Sequence, residues 1–192
     1  MDRDAEIWTN VVGGLVANAL WFCVTAFFAS AYFLRKDRSK FTGRWKSEIT
    51  WTAVWARQML LGTDPTDPHS EGELALSYGS GVRKNQYWGL SFWRLRDGTR
   101  SLAELCVELR GIEMKRGWTA RPPFVSYRLV RARLSSRIRR EFEGFKYAAD
   151  FANYEIVFTD STEQCIVGTV RAVPPNETVQ VAVGAFTAER MA

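Results

Sequence analysis

The feature that most constrains this chain is a run of about 24 residues without a charge, Val11 to Leu34. A helix rises about 1.5 Å per residue, so roughly 20 apolar residues cross a hydrocarbon core. The stretch therefore reads as one spanning helix, about residues 7–34, with Trp8 and Tyr32 at headgroup depth. A secretory signal peptide is the alternative, but that has a shorter apolar run, a basic start and a small-residue cleavage site. MDRDAEIW is slightly acidic, and AYFLRKDRSK offers no such site. Arg35, Lys36, Arg38 and Lys40 follow the run while only Arg3 precedes it. The positive-inside rule thus predicts a single-pass protein with its N-terminus outside and its C-terminal domain in the cytoplasm.

The run also carries small and polar residues: Gly13, Gly14, Ala17, Asn18, Thr25, Ala26, Ala29 and Ser30 recur at spacings of three, four and seven. Small side chains let helices approach closely, and an amide in hydrocarbon prefers a partner on a neighbouring helix. Self-association through Gly14, Asn18 and Thr25 is the expectation. Gly and Ala are, however, common in any spanning helix.

After Lys40 the pattern changes to a period of two. In GRWKSEITW, Trp45, Ser47, Ile49 and Trp51 point one way and Arg44, Lys46, Glu48 and Thr50 the other, which describes a half-buried strand. Similar runs recur in ELALSYG, NQYWGLSFWRL, AELCVELRGI, SYRLVRARL, EFEGFKYA, NYEIVFTD, EQCIVGTVRAV and ETVQVAVGAF, separated by Gly, Pro and Asp turn signals. The predicted organisation is a membrane anchor over 1–40 and a mainly β domain over 41–192. That domain is an antiparallel barrel of about eight strands, or a sandwich. TAVWARQMLLG either continues the first strand or forms a short helix closing one end of the barrel. LVRARLSSRIRREF has a possible helical spacing, but strands with a break at Ser135-Ser136 are the preferred reading.

Catalytic groups are scarce. His69 is the only histidine and lies in the polar, proline-containing loop of residues 62–73. No phosphate-binding glycine loop, dinucleotide fingerprint or zinc spacing occurs, and Cys23, Cys106 and Cys165 stand far apart. Asp64, Asp67, Glu71 and Glu73 read as solvated acids rather than cation ligands. The expectation is therefore no enzyme, no metal and no cofactor.

Binding has more support. The chain carries a net charge of +5 and eight tryptophans. Trp45, Trp51, Trp55, Trp88, Trp93 and Trp118 lie near Arg44, Arg57, Arg83, Lys84, Arg94 and Arg121 in sequence. Arg128, Arg131, Arg133, Arg137, Arg139 and Arg140 form a denser basic segment. Aromatic faces stack on bases and guanidinium groups hold phosphates in pairs of hydrogen bonds. Trp45, Trp88 and Trp93 for stacking, with Arg128 or Arg131 for phosphate, are the candidate ligand residues. Taken singly, each of these residues reads more simply as part of a Trp-filled core or an arginine coat, and only their collective excess suggests a ligand; the basic segment also suits anionic lipid.

FTGRWKSEITW, with its Gly-x-Trp on a first strand, resembles the opening of lipocalin-like barrels, in which that Trp plugs one end. Joined to an N-terminal anchor, the organisation is similar to the membrane-anchored β-barrel effectors of bacterial CBASS-type antiphage defence, the SMODS-associated transmembrane-β class. The resemblance implies a cyclic oligonucleotide bound by the barrel, a homo-oligomer formed through the membrane helices, and disruption of the bacterial inner membrane. No DNA or RNA polymer is expected as a partner. The family's usual two spanning helices are here replaced by one. A tethered carrier of lipid and a scaffold binding a protein partner are the competing functions. A Trp-lined cavity would favour the carrier, inward arginines the nucleotide receptor, and a filled barrel the scaffold.

Overall fold

The alternation that begins at Gly43 continues around the sheet until the last strand meets the first. In the computed structural model, which describes residues 3–60, 64–79, 87–120, 125–142, 151–173 and 178–192, eight antiparallel strands form a closed barrel. The strands are β1 (Gly43–Trp51), β2 (Pro68–Tyr78), β3 (Tyr87–Asp97), β4 (Arg100–Trp118), β5 (Val125–Glu141), β6 (Phe151–Ser161), β7 (Cys165–Ala172) and β8 (Val181–Arg190). Each pairs with the next in sequence, and β8 pairs back with β1 through Trp45↔Arg190 and Trp51↔Gly184. Closure leaves no unpaired sheet edge. Arg83, Lys84, Arg121, most of EFEGFKYA and the turns around Ser80, Pro122 and Pro174 lie outside the described residues.

Helix α1 (Arg3–Arg38) is continuous and groups apart from the barrel as a separate unit. Its stretch Val11–Arg38 is long and apolar enough to cross a membrane. The helix runs through Arg35, Lys36 and Arg38, so the basic residues expected in a tether form its last turn. There they oppose the negative end of the helix dipole. The remaining connection to β1 is residues 39–42. Within α1 the turn geometry puts Gly14, Asn18 and Thr25 on one face. The Thr25 hydroxyl donates to the carbonyl oxygens of Trp21 and Phe22 (2.9 and 3.0 Å), so it is already engaged within its own helix.

The first strand has the predicted faces: Trp45, Ser47, Ile49 and Trp51 are buried, and Arg44, Lys46 and Glu48 are exposed. The helical alternative holds for the next segment. Thr52 caps the short helix α2 (Ala53–Met59), whose Ala56, with the following Leu60, joins the core. Trp55 packs edge-on against Tyr154, which also meets Trp51, and so closes the end of the barrel where β1 finishes. The predicted break at Ser135-Ser136 is absent. β5 runs straight through, with Ser136 buried in the interior and Ser135 donating to Asn153 on β6. Both are small enough to serve either face, so the pair does not interrupt the ladder.

Candidate functional site

The candidate stacking residues do not share a pocket. Trp45 is fully buried where the chain enters the barrel: its indole donates to the Phe41 carbonyl (3.0 Å), and the Arg190 guanidinium lies 5.1 Å from its ring centroid. Arg190 is held there by donating to the carbonyls of Lys40 and Thr42. Phe41 and Tyr87 complete this plug, the Phe41 amide donating to the Tyr87 hydroxyl. Trp93 lies deeper, stacked 6.5 Å from Phe186, with its indole donating to Ser91 (3.0 Å). Trp88 belongs to the outer parity of β3 and is half-buried.

Between the two ends, the inward side chains of the described residues pack closely together. The cavity bordered by Trp51, Ser70, Trp93, Leu105, Leu134 and Ser136 measures about 10 Å³, room for about one water molecule. Among the described residues, four serines are the buried polar side chains of the interior. The Ser47 hydroxyl donates to Gly72, Ser70 accepts from Trp51 and Ser91 from Trp93, while Ser136 completes the set. Such pairing makes burial of the Ser47, Ser70 and Ser91 hydroxyls tolerable.

Neither candidate arginine points inward. The buried positions of β5 are Val125, Tyr127 and Leu129, then Ala132, Leu134 and Ser136, so the parity changes between Leu129 and Ala132. An extra residue of this kind is a bulge. Arg128 lies outside before it and Arg131 outside after it. The ligand constellation read from sequence, tryptophans and an arginine around one barrel pocket, is therefore not assembled. The facing of the two arginines follows from the bulge.

What the fold does assemble lies on the outer wall. An open cleft of about 830 Å³ crosses β4 to β7 and is lined by Arg110, Gly111, Glu113, Arg133, Glu155 and Arg171, among others. Strand register explains the grouping: Arg133 on β5 faces Glu155 on β6, which faces Arg171 on β7. Gly111 sits at a positive φ of 56° where β4 takes up an extra residue against β3, and contributes no side chain to the cleft. Arg131 donates to Glu113 (2.8 Å) and lies 3.9 Å from Glu155. The hydrogen bond from Arg131 is the chief cause holding the Glu113 carboxyl below its usual range, with the charges of Arg131 and Arg133 adding to it. Arg110 is engaged by Glu108. Arg133 and Arg171, by contrast, have no hydrogen-bond or ion-pair partner among the described residues.

Sequence reasoning included Arg133 only within the basic segment and did not single out Arg171. The two are 38 positions apart (171 − 133), and only the register across β6 brings them together. Among the described residues no group of three or more His, Cys, Asp or Glu is placed to hold a metal ion. No family model, curated protein or solved structure matches the chain.

Proposed function

We propose that this chain is a single-pass membrane effector that receives a phosphate-bearing ligand on the outer wall of its barrel and acts through self-association of α1. The observation that carries this reading is the contrast, among the described residues, between a closely packed interior and an open cleft flanked by two guanidinium groups that make no hydrogen bond or ion pair there. A cavity of one water's volume speaks against a lipid carrier. The cleft falls within the ~300–1,000 Å³ usual for ligand sites. Arg133 and Arg171 flank it in a geometry able to take two phosphates of one ligand, with Glu155 between them as an acceptor for a base or sugar donor. The resemblance noted from sequence supports a cyclic oligonucleotide as the ligand class, and the basic last turn of α1 supports a cytoplasmic barrel by the positive-inside rule. No step in this action needs catalysis.

The filled barrel also favours a second reading, in which an acidic segment of a protein partner occupies the same cleft. Calorimetry on the full chain in nanodiscs, with cyclic di- and trinucleotides as probes, separates the two. The first reading expects saturable binding that weakens at least about tenfold in Arg133→Ala and again in Arg171→Ala, since a charge-assisted hydrogen bond contributes ~1.5–3 kcal/mol. No binding by any probe, or unchanged affinity in the double variant, overturns it.

A further inference from the structure

The outer face of β3 presents two large apolar side chains on adjacent outward positions, Phe92 at 56% and Leu90 at 49% exposure. Strand register widens the patch. Leu90 pairs with Ala75 on β2 and Phe92 with Cys106 on β4, and both neighbours belong to the outward positions of their strands. Apolar side chains scattered singly over a surface need no partner, whereas a contiguous group rimmed by polar residues has the form of an interaction surface.

The rim indicates what such a surface meets. Glu71 is held by Arg96 (2.8 Å) and Glu108 by Arg110. Four other charges around Phe92 make no hydrogen bond or ion pair among the described residues: Glu73 across the ladder on β2, Arg94 two positions along β3, Glu104 opposite Arg94 on β4, and Arg139. The Arg139 guanidinium lies over the Phe92 ring, 4.6 Å from its centroid. Two carboxylates and two guanidiniums balance, so a partner of one charge sign, whether anionic lipid, nucleic acid or an acidic peptide, would meet half of them as like charges. A second copy of the same wall does not have that cost. The strand order β2, β3, β4, β5 puts Glu73 on one flank of Phe92, while Arg139 reaches it from the other. A two-fold axis at Phe92 therefore carries Glu73 of one copy onto Arg139 of the other, which is the self-complementarity an isologous interface requires. We infer that the outer wall of β2–β4 centred on Phe92 is a two-fold interface with a second copy of this chain. The patch is small for a dimer free in solution, but copies that α1 holds in one bilayer meet at high effective concentration. This contact belongs to the barrel, adds to the self-association of α1 and is independent of what binds the cleft, whose lining residues are different.

The test measures energy transfer between donor- and acceptor-labelled copies of the full chain in dilute phosphatidylcholine vesicles. Wild type should show transfer above that of randomly placed copies. Phe92→Glu should weaken association by more than about tenfold, the loss expected of a central apolar contact, and its exposure means the fold does not depend on it. Glu73→Arg and Arg139→Glu should each weaken association by about fivefold or more, because each sets like charges against one another across the axis. The double variant carrying both reversals should recover most of the wild-type transfer. Random-level transfer in wild type overturns the inference. Transfer unchanged in Phe92→Glu also overturns it and leaves α1 as the source of association. A double variant no better than the single ones overturns it too, since the two charges would then not meet between copies.

Discussion

Trp93→Ala is the most direct test of a barrel packed to its axis. Trp93 is 1% exposed, lies against Phe186 and occupies the space left by Gly72, where an added Cβ would come 2.6 Å from the Phe92 carbonyl oxygen. Truncation removes about 140 Å³ of side chain, and at ~24 cal/mol per Å³ of unrelaxed cavity this alone costs about 3 kcal/mol, within the ~3–5 kcal/mol typical of buried aromatics. For a domain of this size each kcal/mol moves Tm by about 2–4 °C, so a fall of about 6–20 °C is expected. The new space adjoins the existing 10 Å³ void, which Trp93 borders. An apolar cavity of ~150 Å³ stays dry and accepts a small aromatic. Indole at ten times its Kd should therefore restore about 1.4 kcal/mol of the loss. The assay is thermal unfolding of the full chain in amphipol, with and without indole, for wild type and variant. A wild-type Tm that rises with indole as much as the variant's would show that the barrel already has a lumen. A loss below about 1 kcal/mol would show that Trp93 is not a filler.

Three further outcomes follow from the geometry. Arg190→Met should lower stability by about 2–3 kcal/mol, read by denaturant unfolding, because it removes charge-assisted bonds to Lys40 and Thr42 and the cation over Trp45. Arg190→Lys should recover only part, since both bonds come from one terminal guanidinium nitrogen that an ammonium can imitate, but the planar cation against the Trp45 ring is lost. The Asp97 carboxyl is held below its ordinary value chiefly by the Asp67 amide, with Thr66 donating as well. Its contribution is therefore complete above the unfolded-state value near 3.8 and is lost as pH falls through the lower folded value. Asp97→Asn should flatten this acid limb in a pH series of melting curves, and an unchanged limb would remove Asp97 from the account. Asn18→Leu and Gly14→Leu should each weaken self-association of α1 in bilayers, measured by energy transfer between labelled copies, by about 0.5–2 kcal/mol per lost contact. Unchanged transfer would exclude that face.

The long apolar helix and the first strand were legible because their signals are local. An uncharged run from Val11 to Leu34 needs no partner to declare itself, and period two in GRWKSEITW reports which side chains face the core. The number of strands was legible for the same reason. The helical end of α1 and the continuity of β5 were not. Arg35 to Arg38 suit either a tether or a last helical turn, and Ser135-Ser136 suit either a break or a ladder, so their neighbours decided both. The candidate site shows the same division at larger scale. Composition held both the tryptophans and the arginines, but whether Trp93 lines a pocket or fills it depends on Gly72 across the ladder. Whether Arg128 and Arg131 point in or out depends on one extra residue between Leu129 and Ala132. The cleft depends on the register that aligns Arg133, Glu155 and Arg171. Hydrophobic periodicity is a property of one segment and is written in its residues. The volume inside a closed sheet and the meeting of charges across its strands are properties of pairs distant in sequence, and only the closed barrel brings those pairs together.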